Sequence, residues 1–252
     1  MKMKKIFLLG FLLVFLVRPA VANEQIFQKA NEAYTKSAYD SAIYLYNKIL
    51  DSGYESAEVY FNLGNAHFKN KDIAQAVLNF ERAHQLSPTD NDITFNLQLA
   101  QTLVVDKINV LPPFFLSQWW ENYTNLLSSD SWALLSIVFF MVLLISVLAY
   151  LFSKTLLIKK LAFWMACFFL LTSLQTFVSS YQIKNNIQSR NSAIIMAESV
   201  TIKSSPDEKG TEIFVLHEGV KVWVLDEIGS WLKIKIADGN SGWIRKQDIE
   251  RI

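Results

Sequence analysis

The residue types that most often carry catalysis or bind metals are few in this chain, and their spacing is unsuitable. It has three histidines, His67, His84 and His217, and one cysteine, Cys167. The histidines form no HExxH motif, and a single cysteine excludes a disulfide scaffold, cysteine-ligated zinc and a CxxC redox pair. The chain has no GxSxG elbow, Walker loop or GxGxxG loop. We therefore expect no catalytic residue, no metal and no cofactor, and we interpret the protein as not an enzyme.

The chemistry that the sequence favours is non-covalent binding by amide and aromatic side chains. The triplet Phe-Asn-Leu at residues 61–63 returns at residues 95–97, a spacing of 34 residues. Asparagine amides can pair with the backbone of an extended peptide, and aromatic rings offer flat apolar contact. A triplet that recurs at this spacing indicates a sequence repeat.

The same spacing predicts pairs of packed helices in the N-terminal part of the chain. Within residues 57–90, Gly64 and Ala76 are small enough for two helices to approach closely. Phe80 fills the gap between the helices, and Pro88 ends the second one. This pattern resembles the tetratricopeptide repeat family, whose period is 34 residues.

The resemblance extends over residues 23–109. Residues 23–56 form an earlier copy, and a third copy from Asp92 to about Val105 supplies only a first helix, which we expect to cap the stack. Two and a half repeats are few for a stand-alone solenoid. Contacts with a partner, with another copy or with the adjoining membrane segment are therefore expected to support it.

In this family the first helices of successive repeats line a concave groove. The family's clamp for a C-terminal carboxylate needs lysine or arginine where this chain has Phe27 and Phe61, so that special activity is not expected. Packing in the small core is the alternative role of each aromatic residue. The groove residues that the resemblance implies are Phe27, Asn31, Tyr34, Phe61, Asn62, Asn65, Phe68, Phe95 and Asn96.

Three apolar stretches indicate export and membrane insertion. Residues 1–22 have a basic start, an apolar core and a final small-x-small sequence, AVA, which is the layout of a signal peptide. An uncleaved anchor is the alternative. Residues 132–152 and 161–181 carry no charge, and each is long enough to cross a hydrocarbon core of about 30 Å. We predict two transmembrane helices, with a buried soluble hairpin as the alternative.

Charged and aromatic residues predict how these helices are oriented. The connection at residues 153–160, SKTLLIKK, has three lysines and no acid, so the positive-inside rule makes it cytoplasmic. The signal peptide exports the segment before the crossings, and two crossings return the segment after them to the same periplasmic side. Residues 110–131 are rich in aromatic residues, which suits a linker in the membrane interface. The polar residues 182–192 are expected to form a tether.

After the tether the hydrophobic period changes to two. Five short strands separated by turn signals over residues 193–252 predict a small all-β barrel. The sequence Gly-Ser-Trp ending at Trp231 and the sequence Gly-Trp-Ile around Trp243 resemble the bacterial SH3-like domain, whose members bind peptides or cell-wall peptide. Trp231 and Trp243 are the candidate binding face, with a place in the barrel core as the alternative.

The predicted fold class is a multi-domain chain of all-α tetratricopeptide helix repeats, two transmembrane helices and a C-terminal all-β SH3-like barrel. No segment is basic and exposed enough to bind nucleic acid. The order of segments resembles the E-type proteins of the aerotolerance (Bat) operon across nearly the whole chain. That resemblance implies an inner-membrane scaffold, linked to oxidative stress, that binds membrane and periplasmic proteins, among them von Willebrand A-domain membrane proteins of the same operon. The alternatives are a peptidoglycan-binding anchor and, more remotely, a cell-wall enzyme.

Overall fold

A computed structural model of the chain describes residues 23–108, 114–189 and 191–252. The predicted signal peptide, residues 1–22, lies outside the described residues, as do residue 109 of the predicted repeat region and residues 110–113 of the predicted linker.

The described residues form two compact units. The first joins those within Met1–Leu111 to those within Ser192–Ile252, and the second comprises those within Pro112–Asn191. The first unit contains a helical repeat region, which we call the repeat segment (residues 23–108), and an antiparallel sheet, which we call the C-terminal sheet domain (residues 191–252).

The described part of the repeat segment consists of helices that alternate with tight turns. Side-chain oxygens fix the starts of three of them: Ser56 accepts from the backbone N–H of Val59 at 3.2 Å, Asp72 accepts from that of Gln75 at 3.3 Å, and Asp90 caps the last helix in the same way. Such caps satisfy N–H groups that the first helical turn leaves unpaired. The helices are α1 (23–35), α2 (Tyr39–Asp51), α3 (Ala57–Lys69), α4 (Ile73–Leu86) and α5 (Asn91–Thr102).

Helices α3 and α4 pack at very short range because Gly64 has no side chain. A Cβ atom at Gly64 would stand 2.7 Å from Cδ1 of Phe80, closer than real Cβ atoms approach ring carbons. Phe80 is itself fully buried, as is Tyr46 at the equivalent position of the first copy. Small residues and one large ring per repeat therefore set the helix spacing, as the sequence pattern predicts.

The second unit contains a short helix and two long apolar ones, α6 (Phe115–Thr124), α7 (Ser129–Phe152) and α8 (Leu156–Ser189). Serines join α7 to α8 by reciprocal hydrogen bonds. Ser136 Oγ donates to the carbonyl oxygen of Ser173 at 3.1 Å, and Ser173 Oγ donates to that of Ser136 at 3.1 Å. Ser129 and Ser180 repeat this exchange one heptad away. These small side chains let the two helix backbones approach each other closely.

The segments that flank the two apolar helices differ from the sequence prediction. Helix α8 begins at Leu156, so Lys159 and Lys160 belong to its first turns and the connection is shorter than residues 153–160. The same helix continues to Ser189 through most of the predicted tether. Residues 182–189 are polar but contain neither proline nor glycine, so no residue in this stretch breaks the helix.

The C-terminal sheet domain is one antiparallel sheet with strand order β3-β2-β6-β5-β4-β1-β7. Its tightest turn joins Ile228 to Trp231 through two residues, and Gly229 there adopts φ +58°, a conformation that favours glycine. The strands are β1 (Ser192–Ile195), β2 (Ser199–Lys203), β3 (Glu212–His217), β4 (Lys221–Ile228), β5 (Trp231–Lys235), β6 (Ser241–Arg245) and β7 (Ile249–Arg251).

The sheet has more strands than the five that the alternating pattern predicts. All four residues of β1 are buried, so it lacks the apolar-polar alternation of a half-exposed strand. At the other end, a 3-10 turn at Lys246–Asp248 divides the last predicted run into β6 and β7. The all-β class of this domain is confirmed, while the number of strands expected from the sequence was too low.

Candidate peptide-binding groove

Two equivalent asparagine pairs link the first helices of successive repeats. Nδ2 of Asn62 donates to Oδ1 of Asn31 at 3.4 Å, and Nδ2 of Asn96 donates to Oδ1 of Asn65 at 2.8 Å. Each bond therefore joins one repeat to the next, α1 to α3 and α3 to α5. The four asparagines predicted from the sequence lie in one row across these three helices.

Two open pockets lie along this row. One has a volume of about 270 Å³ and the other about 240 Å³, and Tyr34 and Asn65 line both of them. The larger pocket is also lined by Phe68, Lys69, Phe80, Asn96 and Leu99, and the smaller by Asn31, Thr35, Tyr46 and Asn62. Amide groups and aromatic rings thus face the same cavities, which is the combination that an extended peptide needs.

The phenols beside the smaller pocket are held in their neutral form. Tyr46 donates to Oδ1 of Asn31 at 2.6 Å. Burial, followed by the nearby Tyr34 and Glu58, raises the pKa of Tyr46 far above its ordinary value. Burial and then Tyr39 raise the pKa of Tyr34. The pocket walls are therefore uncharged apart from Lys69 at one end.

Three of the four phenylalanines predicted for the groove occupy equivalent positions in the repeats but have unequal exposure, whereas the fourth, Phe68, lines the larger pocket. Phe27 is 9% exposed and packs against Tyr46, with ring centroids 6.0 Å apart. Phe61 is half-buried against Phe80, whereas Phe95 is 65% exposed. None of the three lines either pocket. Core packing accounts for Phe27 and Phe61, and only Phe95 presents its ring openly.

Lys69 and Leu99 line the larger pocket and were missed from the sequence. Leu99 stands where the two earlier copies have Asn31 and Asn65, so it breaks the asparagine pattern that drew attention to this face. Carrying the 34-residue spacing forward by position instead of by residue type would have identified it.

The two predicted tryptophans of the C-terminal sheet domain share one face with several cations. Trp243 is buried and pairs across the strands with Lys203 and Lys233, while Trp231 pairs with Arg245. Paired residues of adjacent strands project to the same side of a sheet. The guanidinium carbon of Arg245 lies 5.6 Å from the centroid of the Trp231 ring. We call these five residues the cationic tryptophan face.

The surroundings of His67 and His84 are those of packed side chains and do not resemble a catalytic or metal site. Burial lowers the pKa of His67 despite Asp72, which lies 3.1 Å from its Nδ1 atom, and burial also lowers the pKa of His84. Nδ1 of His84 is buried without a hydrogen-bond partner among the described residues. In the described part of the chain, no three histidine, cysteine, aspartate or glutamate side chains are grouped to hold a metal ion.

Comparison with known families identifies two modules. The tetratricopeptide repeat model matches residues 57–90, and the bacterial SH3 domain model matches residues 198–250. No curated protein matches the chain. Both families are typically non-catalytic interaction modules, and neither match indicates an enzyme. The chain thus contains a helical repeat region that matches the tetratricopeptide repeat model, two helices long and apolar enough to cross a membrane, and an all-β region that matches the bacterial SH3 domain model.

Proposed function

We propose that this protein is an adaptor of the bacterial cytoplasmic membrane that holds partner proteins on the periplasmic side through the groove of its repeat segment. The observation that carries this proposal is the row of paired asparagines beside two open, largely uncharged pockets. The side-chain oxygen Oδ1 of Asn65 already accepts a hydrogen bond from Asn96. The Nδ2 group of Asn65 is therefore the donor for a carbonyl oxygen of the bound peptide. Phe68 and Leu99 supply the apolar wall for a neighbouring side chain.

Helices α7 and α8 support membrane anchoring. The most apolar 18-residue windows within Ser129–Phe152 and Leu156–Asn185 have mean hydropathies of 2.8 and 1.8. Only 11% and 17% of their most apolar windows are buried in the structure. The core helix of a soluble domain would be mostly buried, whereas a helix surrounded by lipid keeps its apolar side chains on the outside.

The composition of the first unit supports a shared compartment for both soluble segments. The repeat segment and the C-terminal sheet domain contribute to one cluster of buried apolar residues, although the two apolar helices separate them in the sequence. Segments that share a core lie on the same side of a bilayer, so the chain between them crosses an even number of times. Together with the signal peptide and the lysines of residues 154–160, two crossings put both segments in the periplasm.

The order of the segments supports the role that the resemblance to the E-type proteins of the aerotolerance operon implies. By that resemblance the partners are von Willebrand A-domain membrane proteins of the same operon, in a complex linked to oxidative stress. An adaptor without catalytic residues, anchored next to membrane partners, suits such a complex.

The test is recovery of those A-domain proteins with the tagged, detergent-solubilised full chain. We expect Asn65→Ala with Phe68→Ala to reduce recovery at least several-fold, because the peptide donor and the apolar wall are both lost. Leu99→Arg places a charge on the exposed rim of the pocket without removing core atoms, and it should have the same effect.

The matched control is Tyr44→Ala with Asn47→Ala, an exposed aromatic and amide pair on α2 that lines neither pocket. It should leave recovery unchanged, and thermal denaturation of each variant should show that the fold is retained. Equal recovery by the wild type, the groove variants and the control would show that the partners do not use this groove.

We propose peptidoglycan binding as the second candidate function, and the cationic tryptophan face favours it. Arg245 pairs with the carboxylate of Glu208, and Lys203 lies 3.9 Å from the same carboxylate. The face therefore accepts a carboxylate beside an indole ring, and a carboxylate of a cell-wall peptide would take the place of Glu208. Co-sedimentation of the solubilised chain with purified sacculi tests this function. We expect Trp231→Ala with Arg245→Ala to lower the bound fraction and Leu225→Ala, on an exposed strand position, to leave it unchanged. Absence of the wild-type chain from the pellet would exclude the anchor function.

A further inference from the structure

Helix α4 is buried on more sides than its counterpart one repeat earlier. Leu78 is fully buried, whereas Tyr44, at the equivalent position of α2, is 68% exposed. Glu81 is 4% exposed, whereas its counterpart Asn47 is exposed. The sequence period makes these positions equivalent, so a feature outside the repeat covers α4 and leaves α2 open.

The C-terminal sheet domain supplies that cover through strands β1, β4 and β7. Lys221 donates to Oε2 of the buried Glu81 at 2.6 Å. Arg82 donates to Oε1 of Glu250 at 3.0 Å and to the carbonyl oxygen of Arg251 at 2.7 Å. These charged groups fix the orientation of the two surfaces, since a nearly buried carboxylate is stable only with its partner in place.

Apolar residues fill the space between the polar contacts. A single buried cluster runs from α4 and α5 into the sheet. The members of this cluster from the repeat segment are Ala76, Val77, Leu78, Phe80, Leu97, Ala100 and Val104, and those from β1 and its surroundings include Ala193, Ile194, Ile195, Val220, Val222 and Ile252.

The chain just after α5 completes the contact with the turn between β3 and β4. The backbone N–H of His217 donates to Oδ2 of Asp106 at 2.7 Å, and Nδ1 of His217 lies 2.9 Å from Oδ1 of the same carboxylate. Beside them, a Cβ atom at Gly219 would stand 2.8 Å from Cγ2 of Val104. Gly219 thus lets the turn approach the repeat segment closely.

We propose that the C-terminal sheet domain is the terminal cap of the repeat stack, so that the repeat segment and the sheet domain are one obligate folding unit. The third repeat has a first helix, α5, but no second helix to cover α4, the apolar residues Leu97 and Ala100 of α5, and Val104 just after it. A solenoid end without a cap exposes such a face to water. In this chain the sheet occupies the place of the missing helix.

This assignment goes beyond the adaptor function because it states which surfaces remain free for partners. The side of the sheet formed by β1 and β7 and the turn at Gly219 are occupied within the chain. The groove of α1, α3 and α5 and the cationic tryptophan face remain as separate surfaces of one body, so a partner bound at either one stabilises both segments.

A disulfide tests the docked arrangement in the full chain. The Cβ atom that a side chain at Gly219 would have lies 3.8 Å from Cβ of Val104, which is the mean distance across a disulfide. We expect Val104→Cys with Gly219→Cys, in a Cys167→Ser background, to form the bond in cells, seen as a mobility change on non-reducing gels. Tyr44→Cys with Gly219→Cys is the matched control and should stay reduced. Gly219 has φ +85°, which strains any side chain, so the melting temperature of the variant is measured as well. Two free, alkylated thiols in a test pair that keeps the melting temperature of the control pair would overturn the arrangement.

A second variant tests whether the repeat segment and the sheet domain fold and unfold together. Ile202 is fully buried on β2, on the far side of the strand order from β1 and β7. In the solubilised full chain without any partner, we expect Ile202→Asp to make residues 57–90 as sensitive to protease as the sheet itself. Leu225→Asp, at an exposed position of the same sheet, should leave the protease sensitivity of both residues 57–90 and the sheet unchanged. A digested sheet beside intact repeats would overturn the obligate unit, and it would leave the adaptor function standing because no partner takes part.

Discussion

At the scale of single residues, the most consequential groups outside the groove are two histidines that the fold keeps neutral. His84 lies near Glu81 and Lys221, and its pKa is lowered first by burial and then by the lysine, with the glutamate opposing. His67 has Asp72 and, farther away, Glu250 as opposing acids, yet burial still lowers its pKa. Both side chains therefore resist protonation in the folded chain.

We predict that acidification weakens the first unit. The unfolded chain binds protons on these histidines near pH 6.5, where the folded chain does not. The free energy of unfolding should therefore fall as the pH drops below about 6.5 and level off below the folded pKa values. Thermal denaturation at pH 7 and pH 5.5 measures the effect, and His84→Gln should reduce the difference without abolishing it, because His67 remains. If the melting temperatures of His84→Gln at pH 7 and pH 5.5 differ as much as those of the wild type, other groups cause the pH dependence.

At the scale of elements, helix spacing in the repeat depends on one missing side chain. The contact between Gly64 and Phe80 brings α3 and α4 together at a distance that any larger residue would prevent. The first copy has Ala30 and Tyr46 at the equivalent positions, and both are buried. Each repeat therefore packs one small residue against one large aromatic ring.

We predict that Gly64→Ala destabilises the first unit although alanine favours helices. The propensity gain of about 1 kcal/mol is smaller than the overpacking cost of about 1–3 kcal/mol, since the methyl group meets ring carbons that cannot move aside. A net loss of about 1 kcal/mol should lower the melting temperature by about 2–4 °C. Lys48→Ala, on an exposed part of α2, is the control and should change it little. A higher melting temperature in Gly64→Ala would mean that α3 and α4 separate without cost.

The elements were predictable from the sequence wherever a period or an uninterrupted apolar run was present. The spacing of Gly64, Ala76 and Phe80 identified the repeat, and the two apolar stretches identified α7 and α8. Strand β1 and the polar end of α8 were not predictable in this way, since both lack the alternation on which such reasoning depends. In the groove, the asparagines were found by their identity, while Leu99 was missed because its residue type differs.

At the scale of the whole molecule, the decisive feature is a folded unit made from two distant segments of the chain. Periodicity describes neighbours in sequence, so it gave no signal that Glu81 pairs with Lys221 or that Asp106 binds His217. Such contacts depend on three-dimensional complementarity between two modules that look independent in the sequence. The repeat segment and the sheet domain were each predictable from the sequence, but the packing of one against the other was not.

We predict that both segments of this unit react with reagents applied from outside. In a Cys167→Ser background, single cysteines replace Tyr44 on α2, Leu225 on β4 and Thr155 between α7 and α8. A membrane-impermeant maleimide added to intact spheroplasts should label positions 44 and 225 but reach position 155 only after permeabilisation. Labelling of position 155 in intact spheroplasts, or protection of either other position, would contradict the proposed topology.

Because the first unit is made from two distant segments, its helices are synthesised well before the strands that cover them. After residue 108 has been made, a further 144 residues, 109–252, must be made before the sheet domain is complete. At a translation rate of about 5–20 residues per second, this interval lasts about 7–30 s. During that time the apolar side of α4 is not covered by the sheet, and in the proposed periplasmic location other newly exported chains would compete for it. A nonsense mutation within β6 should therefore leave the helices of the repeat segment open to proteolysis.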